Sequence, residues 1–152
     1  MLQRNDYELV IAGIIDPVYR EKILVEARRH GVEERVKVIG AITEEDKYWY
    51  YLNCTAFLFP SLAEGFGFPV VEAMHHGKPT FLSDRTCLPE IGGELAYYFH
   101  DFDPAIMQDT FENGMDHYKA TQPAEKIIAR TKELFTWENS AQQYLDTYRA
   151  LY

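Results

Sequence analysis

At 152 residues, with 47% hydrophobic and 26% charged side chains, the chain has the size and make-up of one globular domain able to bury its own core. A formal charge of −9 argues against nucleic acid as the main partner, because a phosphate backbone calls for a basic stripe. No run approaches the roughly 18 to 20 apolar residues of a membrane span, so membrane association is expected only through a segment outside this chain.

The first strand signal is Glu8 to Ala12, closed by Gly13. A helix over residues 17–30 follows, with Ile23, Leu24 and Ala27 at helical spacing and a stop at Gly31. The basic residues gather here (Arg20, Lys22, Arg28, Arg29, Arg35, Lys37), and cations favoured at a helix C-terminus account for Arg28-Arg29-His30 as well as a binding role would. A strand over residues 36–39 ends at Gly40, and Thr43-Glu-Glu-Asp46 reads as a capped start for a helix to about Asn53. The run from Ala56 to Phe59 is apolar at every position, as expected of a strand buried on both faces of a parallel sheet. A helix from Pro69 to His76 closes at Gly77, and strands over residues 79–83 and 96–99 follow. Asp103-Pro104 supplies an N-cap and a proline for a helix through about Ala120. Two more helices run from Pro123, with a break near Thr136-Trp137. Strands alternating with helices over short connections predict an α/β fold with a mostly parallel sheet and a helical C-terminal tail.

Cys54 and Cys87 fit no CxxC or disulfide framework; Cys54 is expected to be a small buried residue and Cys87 to lie in a loop. A reducing compartment, the cytoplasm, is the matching location.

The chemistry concentrates in residues 60–73, PSLAEGFGFPVVEA, directly after a strand, where ligands bind in parallel sheets. Gly65 and Gly67 let the backbone turn and approach a ligand without a Cβ in the way. Pro69 then opens a helix whose first N–H groups are a ready anion site, above all for phosphate. Glu72 falls in the first turn, where it either complements the helix dipole or accepts hydrogen bonds from a vicinal diol such as ribose. Glu64 lies in the loop with no helix to cap, which favours ligand contact. On physical grounds this describes a site for a ligand rich in phosphate and hydroxyl groups.

The stretch PSLAEGFGFPVVEAMHHGKP resembles the signature of the group-1 (family 4-like) retaining glycosyltransferases of GT-B fold, whose motif places two glutamates with seven residues between them, as Glu64 and Glu72 are placed here. Leu9-Val-Ile-Ala-Gly13, Val36-Lys-Val-Ile-Gly40, Leu88-Pro-Glu-Ile-Gly92, Asp101-Phe-Asp-Pro104 and Phe135-Thr-Trp137 match in the same order through most of the chain. The resemblance implies the C-terminal, Rossmann-like, three-layer domain that binds the nucleotide-sugar donor. Glu64 would then be the catalytic residue, contacting hydroxyls of the transferred sugar, and Glu72 would hold the ribose. Gly65, Phe66, Gly67 and Phe68, with the amides of Val70 and Val71, would face the sugar and diphosphate. Ser61 would brace the loop. The implied reaction retains anomeric configuration and needs neither bound metal nor cofactor, the NDP-sugar being a substrate.

The family's domain normally begins with one more strand and helix, carrying a basic pair that grips the diphosphate. The expectation is that residues 1–152 form a single domain starting after that pair, with the N-terminal acceptor-binding domain outside the chain and weak or no transfer by the chain alone. Arg85 either contributes charge to a ligand or pairs with its neighbours, and Glu90 is expected to anchor the loop beside the site. His75 and His76 are adjacent and so face different sides of a helix, which rules out a two-histidine metal face. Lys78 reads as a solvated turn residue. Tyr48-Trp49-Tyr50-Tyr51 predicts two rings in contact with the core and two exposed. Other readings remain open: a hydrolase or isomerase with Glu64 and Glu72 as paired carboxylates, a GT-B sugar-nucleotide epimerase, or a non-catalytic nucleotide-sugar binding module.

Overall fold

The computed structural model describes residues 7–151, which divide into two compact units, the first ending at Tyr50 and the second beginning at Tyr51. In the first unit β1 (Leu9–Ala12) leads through α1 (Pro17–Arg29) and a 3-10 turn (Glu33–Arg35) to β2 (Val36–Gly40). β1 and β2 pair in parallel, as a helical crossover between them requires. Asp16 opens α1 by accepting the N–H groups of Val18 at 2.9 Å and Tyr19 at 3.1 Å. Ala27, Val32 and Val36 are buried together, with Ile11, Ile23 and Val38 packed on them. The helix α2 (Glu44–Asn53) begins with a reciprocal cap: Thr43 Oγ1 accepts the Asp46 N–H at 3.1 Å and donates to Asp46 Oδ2 at 2.8 Å.

The second unit holds β3 (Phe57–Phe59), α3 (Phe68–His75), β4 (Thr80–Ser83), α4 (Leu88–Gly92), a 3-10 turn (Gly93–Leu95), β5 (Tyr97–Phe99), α5 (Pro104–Thr121), α6 (Ala124–Leu134) and α7 (Trp137–Ala150). Its three strands run parallel in the order β3-β4-β5. The fully buried strand is β4, not the uniformly apolar β3, whose residues are each half-buried. Position explains this: within this unit β4 has a strand on either side and β3 has one.

Consecutive side chains of β4 point to opposite faces and nucleate two cores. Leu82 joins Val70 and Met74 of α3, Leu88 and Ile91 of α4, and Ile127 of α6. Phe81 turns the other way, its ring 4.9 Å from those of Tyr97 and Phe111, the latter on α5. The unit is therefore three layers, with α3, α4 and α6 on one face of the sheet and α5 on the other. The sequence pattern marks no element between residues 83 and 96; a five-residue helix, Leu88–Gly92, forms there, with Pro89 in its first turn. Asp103 caps α5 and Thr136 caps α7, so the anticipated break at Thr136-Trp137 separates α6 from α7.

At Gly114 α5 presses directly on the sheet. A Cβ there would stand 2.6 Å from Phe81 Cε1 and 2.9 Å from Tyr97 Cγ. Phe81 is wholly buried and cannot swing aside. Overpacking of this kind costs about 1–3 kcal/mol, against about 1 kcal/mol gained from the better helix propensity of alanine. Gly114→Ala is expected to lower the melting temperature, measured by thermal denaturation.

Candidate functional site

The site lies where the chain leaves β3 and β4. Residues 60–67 follow β3 and lead into α3; residues 84–87 follow β4 and lead into α4. Parallel neighbours deliver both loops to the same edge of the sheet, and hydrogen bonds join them there. Ser83 Oγ donates to the Ser61 carbonyl, the Glu64 N–H donates to Thr86 Oγ1 at 3.2 Å, and Cys87 Sγ donates to the Phe66 carbonyl at 3.1 Å.

Gly67 is the pivot between loop and helix. Its φ of 97° is left-handed, and a Cβ would stand 3.1 Å from Leu88 Cδ2. The helix starts at Phe68, one residue before the expected Pro69. Val70 and Val71 depart from expectation: both N–H groups donate to the Gly67 carbonyl, at 2.9 and 3.4 Å, and the Val70 side chain is wholly buried. The turn closes on itself and consumes those donors. Among the described residues, the N–H groups of Phe66, Gly67 and Phe68 have no acceptor, so the unpaired amides sit earlier in the chain than Val70 and Val71. Gly65 differs from Gly67. Its backbone is not left-handed and a Cβ there would meet nothing within 4 Å. Phe66 and Phe68 are exposed, with ring centroids 4.9 Å apart, and Phe66 also meets Phe135 edge-on at 6.0 Å.

The two carboxylates flank this loop, each half-buried and each held. Ser61 Oγ donates to Glu64 Oε1 at 2.7 Å, and Tyr51 Oη donates to Glu72 Oε2 at 3.0 Å. Arg85 is exposed and its Nε lies 3.2 Å from Asp84 Oδ1. Asp84 Oδ2 lies 3.0 Å from His100 Nδ1, and that hydrogen bond, followed by the charge of Arg85, holds the Asp84 carboxyl below its ordinary range. Glu90 is exposed. What secures its segment is its main chain: Arg130 of α6 donates to the carbonyls of Glu90 at 2.9 Å and Ile91 at 3.2 Å, closing the C-terminal end of α4.

Other candidates fall to structural roles. Lys78 donates from Nζ to the Leu52 carbonyl at 2.7 Å, tying the end of α2, so it is more than a solvated turn residue. Tyr51 is buried, while Tyr48 and Trp49 are exposed. Cys54 and Cys87 are free and half-buried, and burial pushes the Cys54 thiol above its ordinary value, which disfavours the thiolate. Among the described residues no group of three His, Cys, Asp or Glu side chains is placed to hold a metal ion, and no helix is long and apolar enough to cross a membrane. Thr86, Cys87 and Tyr51 escaped the sequence reading as parts of the site, since none stands inside the two-glutamate motif.

The profile of the family described as glycosyl transferases group 1 matches residues 1–111. The chain belongs to this family. Among curated relatives it is 29% identical over 153 residues to the O-antigen chain mannosyltransferase B of Escherichia coli, and 31% identical over 155 residues to the serotype-specific mannosyltransferase WbdA of the same species. These alignments cover 99% and 95% of the chain but only 39% and 18% of the relatives. The sucrose-phosphate synthase of Thermosynechococcus elongatus superposes with a TM-score of 0.78 at 25% identity, over 99% of this chain and 40% of that one. Anabaena Alr3699/HepE, solved in complex with UDP, superposes with a TM-score of 0.79 at 21% identity, over 95% and 41%; it was also solved with UDP-glucose. The fold is that of the GT-B glycosyltransferases.

Tyr51, the partner of Glu72 in this group-1 chain, lies nearly parallel to the His76 ring, centroids 6.4 Å apart. Burial lowers the His76 pKa from its ordinary 6.5, His75 and Lys78 lower it further, and Glu72 opposes them more weakly. Protonation thus costs more in the folded chain, and the unfolded chain binds more protons as pH falls. The neutral ring's contribution is fully present above 6.5 and is lost as pH falls through the depressed folded value. His76→Phe keeps a ring but cannot titrate. The melting temperature of wild type relative to this variant is expected to drop between pH 7.5 and about pH 5; a constant difference in thermal melts across that range would contradict it.

Proposed function

We propose that this chain is the donor-binding domain of a glycosyltransferase that moves a hexosyl group from a nucleoside diphosphate sugar. The observation that carries the reading is the arrangement of amides without an acceptor at Phe66, Gly67 and Phe68 between two held carboxylates, Glu64 and Glu72, at the ends of parallel strands. Gly65 supports it. Neither backbone angle nor packing calls for glycine there, so the bare backbone is explained by what must approach from outside. The UDP and UDP-glucose in the solved HepE structures suit a donor of this class.

In this reading the diphosphate meets the amides at the start of α3, which stabilise the charge that builds as the leaving group departs. Glu72, its second oxygen steadied by Tyr51, accepts from the ribose hydroxyls. Glu64, fixed by Ser61, addresses the transferred sugar. The proposed transfer keeps the anomeric configuration and needs no bound metal, because backbone dipoles supply the electrostatic stabilisation. The acceptor is assigned to residues beyond this chain, which spans 39% and 18% of the two mannosyltransferases. The two free thiols suit a reducing, cytoplasmic setting.

Calorimetric titration with UDP, GDP and ADP, and with UDP-glucose, GDP-mannose and ADP-glucose, tests the reading. Glu72→Ala is expected to weaken diphosphate and sugar nucleotide alike, by about 10- to 100-fold for a lost charged hydrogen bond. Glu64→Ala is expected to weaken only the sugar nucleotide. Absence of binding by every nucleotide in the panel would overturn the assignment. Gly65→Ala provides an independent check: its melting temperature is expected to stay near wild type while nucleotide affinity falls. Unchanged affinity would remove the argument from the bare backbone.

A further inference from the structure

Thr86 has a φ of 51°, a left-handed conformation that a β-branched residue adopts only under strain. Its side chain is exposed, so no packing of its own holds it there. What it does have is the Glu64 N–H, donated to its Oγ1 at 3.2 Å. The residues on either side work on the same loop. Cys87 Sγ donates to the carbonyls of Phe66 at 3.1 Å and Glu64 at 3.5 Å. The Arg85 N–H donates to Ser83 Oγ at 3.3 Å, and that hydroxyl itself donates to the Ser61 carbonyl. The turn after β4 thus grips the main chain of Ser61, Glu64 and Phe66 while Ser61 holds the Glu64 carboxylate. Strain kept at an exposed residue whose hydroxyl meets a functional loop is strain with a use.

We propose that Thr86 is a positioning residue for Glu64: its strained turn fixes the Glu64 main chain so that the carboxylate meets the donor sugar in one orientation. This rests on the donor-binding reading of Glu64 given above. A glycine at this position would adopt the same φ without strain but could not accept the Glu64 N–H. A residue with a merely structural role would shift stability and affinity together. The proposal separates them.

The experiment compares wild type, Thr86→Gly and Thr86→Ser in two measurements. Amide hydrogen exchange at Glu64 needs no ligand; it is expected to accelerate in Thr86→Gly and to stay near wild type in Thr86→Ser, which retains the hydroxyl. Titration with the same nucleotide panel is expected to show about a two- to tenfold loss of sugar-nucleotide affinity in Thr86→Gly, the worth of one hydrogen bond. Nucleoside diphosphate affinity is expected to hold, and serine to restore the sugar term. Wild-type exchange at Glu64 in Thr86→Gly overturns the proposal, as does an equal loss for diphosphate and sugar nucleotide, or no loss at all. If wild type binds none of the panel, the donor reading and the sugar-positioning role fall together, whereas the exchange result still reports whether Thr86 holds the loop.

Discussion

The second unit is organised around one close approach, the start of α3 against Leu88 of α4. It is possible only because Gly67 takes a left-handed backbone and carries no side chain, leaving Leu88 Cδ2 where a Cβ would have 3.1 Å of room. From that turn two things follow. The Gly67 carbonyl is directed into the helix and takes the N–H groups of Val70 and Val71. The N–H groups of Phe66, Gly67 and Phe68 are left without an acceptor among the described residues. A side chain at Gly67 would be strained at this left-handed φ and would crowd Leu88, so packing and the course of the loop meet at the same torsion angle.

Much of this fold is legible from local chemistry. Caps at Thr43 and Asp103 announce helices because their side chains satisfy N–H groups a few residues ahead, and such partners lie within reach of sequence reading. Strand positions were readable for a similar reason, being short apolar runs bounded by turn residues. Relative burial was not. β3 is the more apolar strand but β4 is the enclosed one, and that depends on which strand lies between the others. The helix at Leu88 was missed because five residues hold too little periodicity to register.

The site divides along the same line. The two glutamates and the glycines could be found because their spacing along the chain carries the motif. Their partners could not: Tyr51 meets Glu72 across 21 positions and Thr86 meets Glu64 across 22. A tyrosine at the end of a helix and a threonine in a turn carry no mark of such a meeting until the sheet brings them together. Val70 and Val71 show the converse error. Their place in the motif suggested amides open to a ligand, but an N–H count in the first helical turn depends on whether the capping carbonyl folds back, and here it does.

Arg130 sets a boundary beyond the one the family model draws. The family match ends at residue 111, yet the guanidinium that closes α4 belongs to α6, and Gly93 leaves room for it: a Cβ there would sit 2.7 Å from Arg130 Cζ. Removing the helices after residue 111 would strip α4 of that closure and Ile127 from the core shared by α3 and α4. The helical tail is therefore part of the apparatus that keeps the ligand-facing loops in register, and the smallest fragment able to preserve their geometry extends at least through α6.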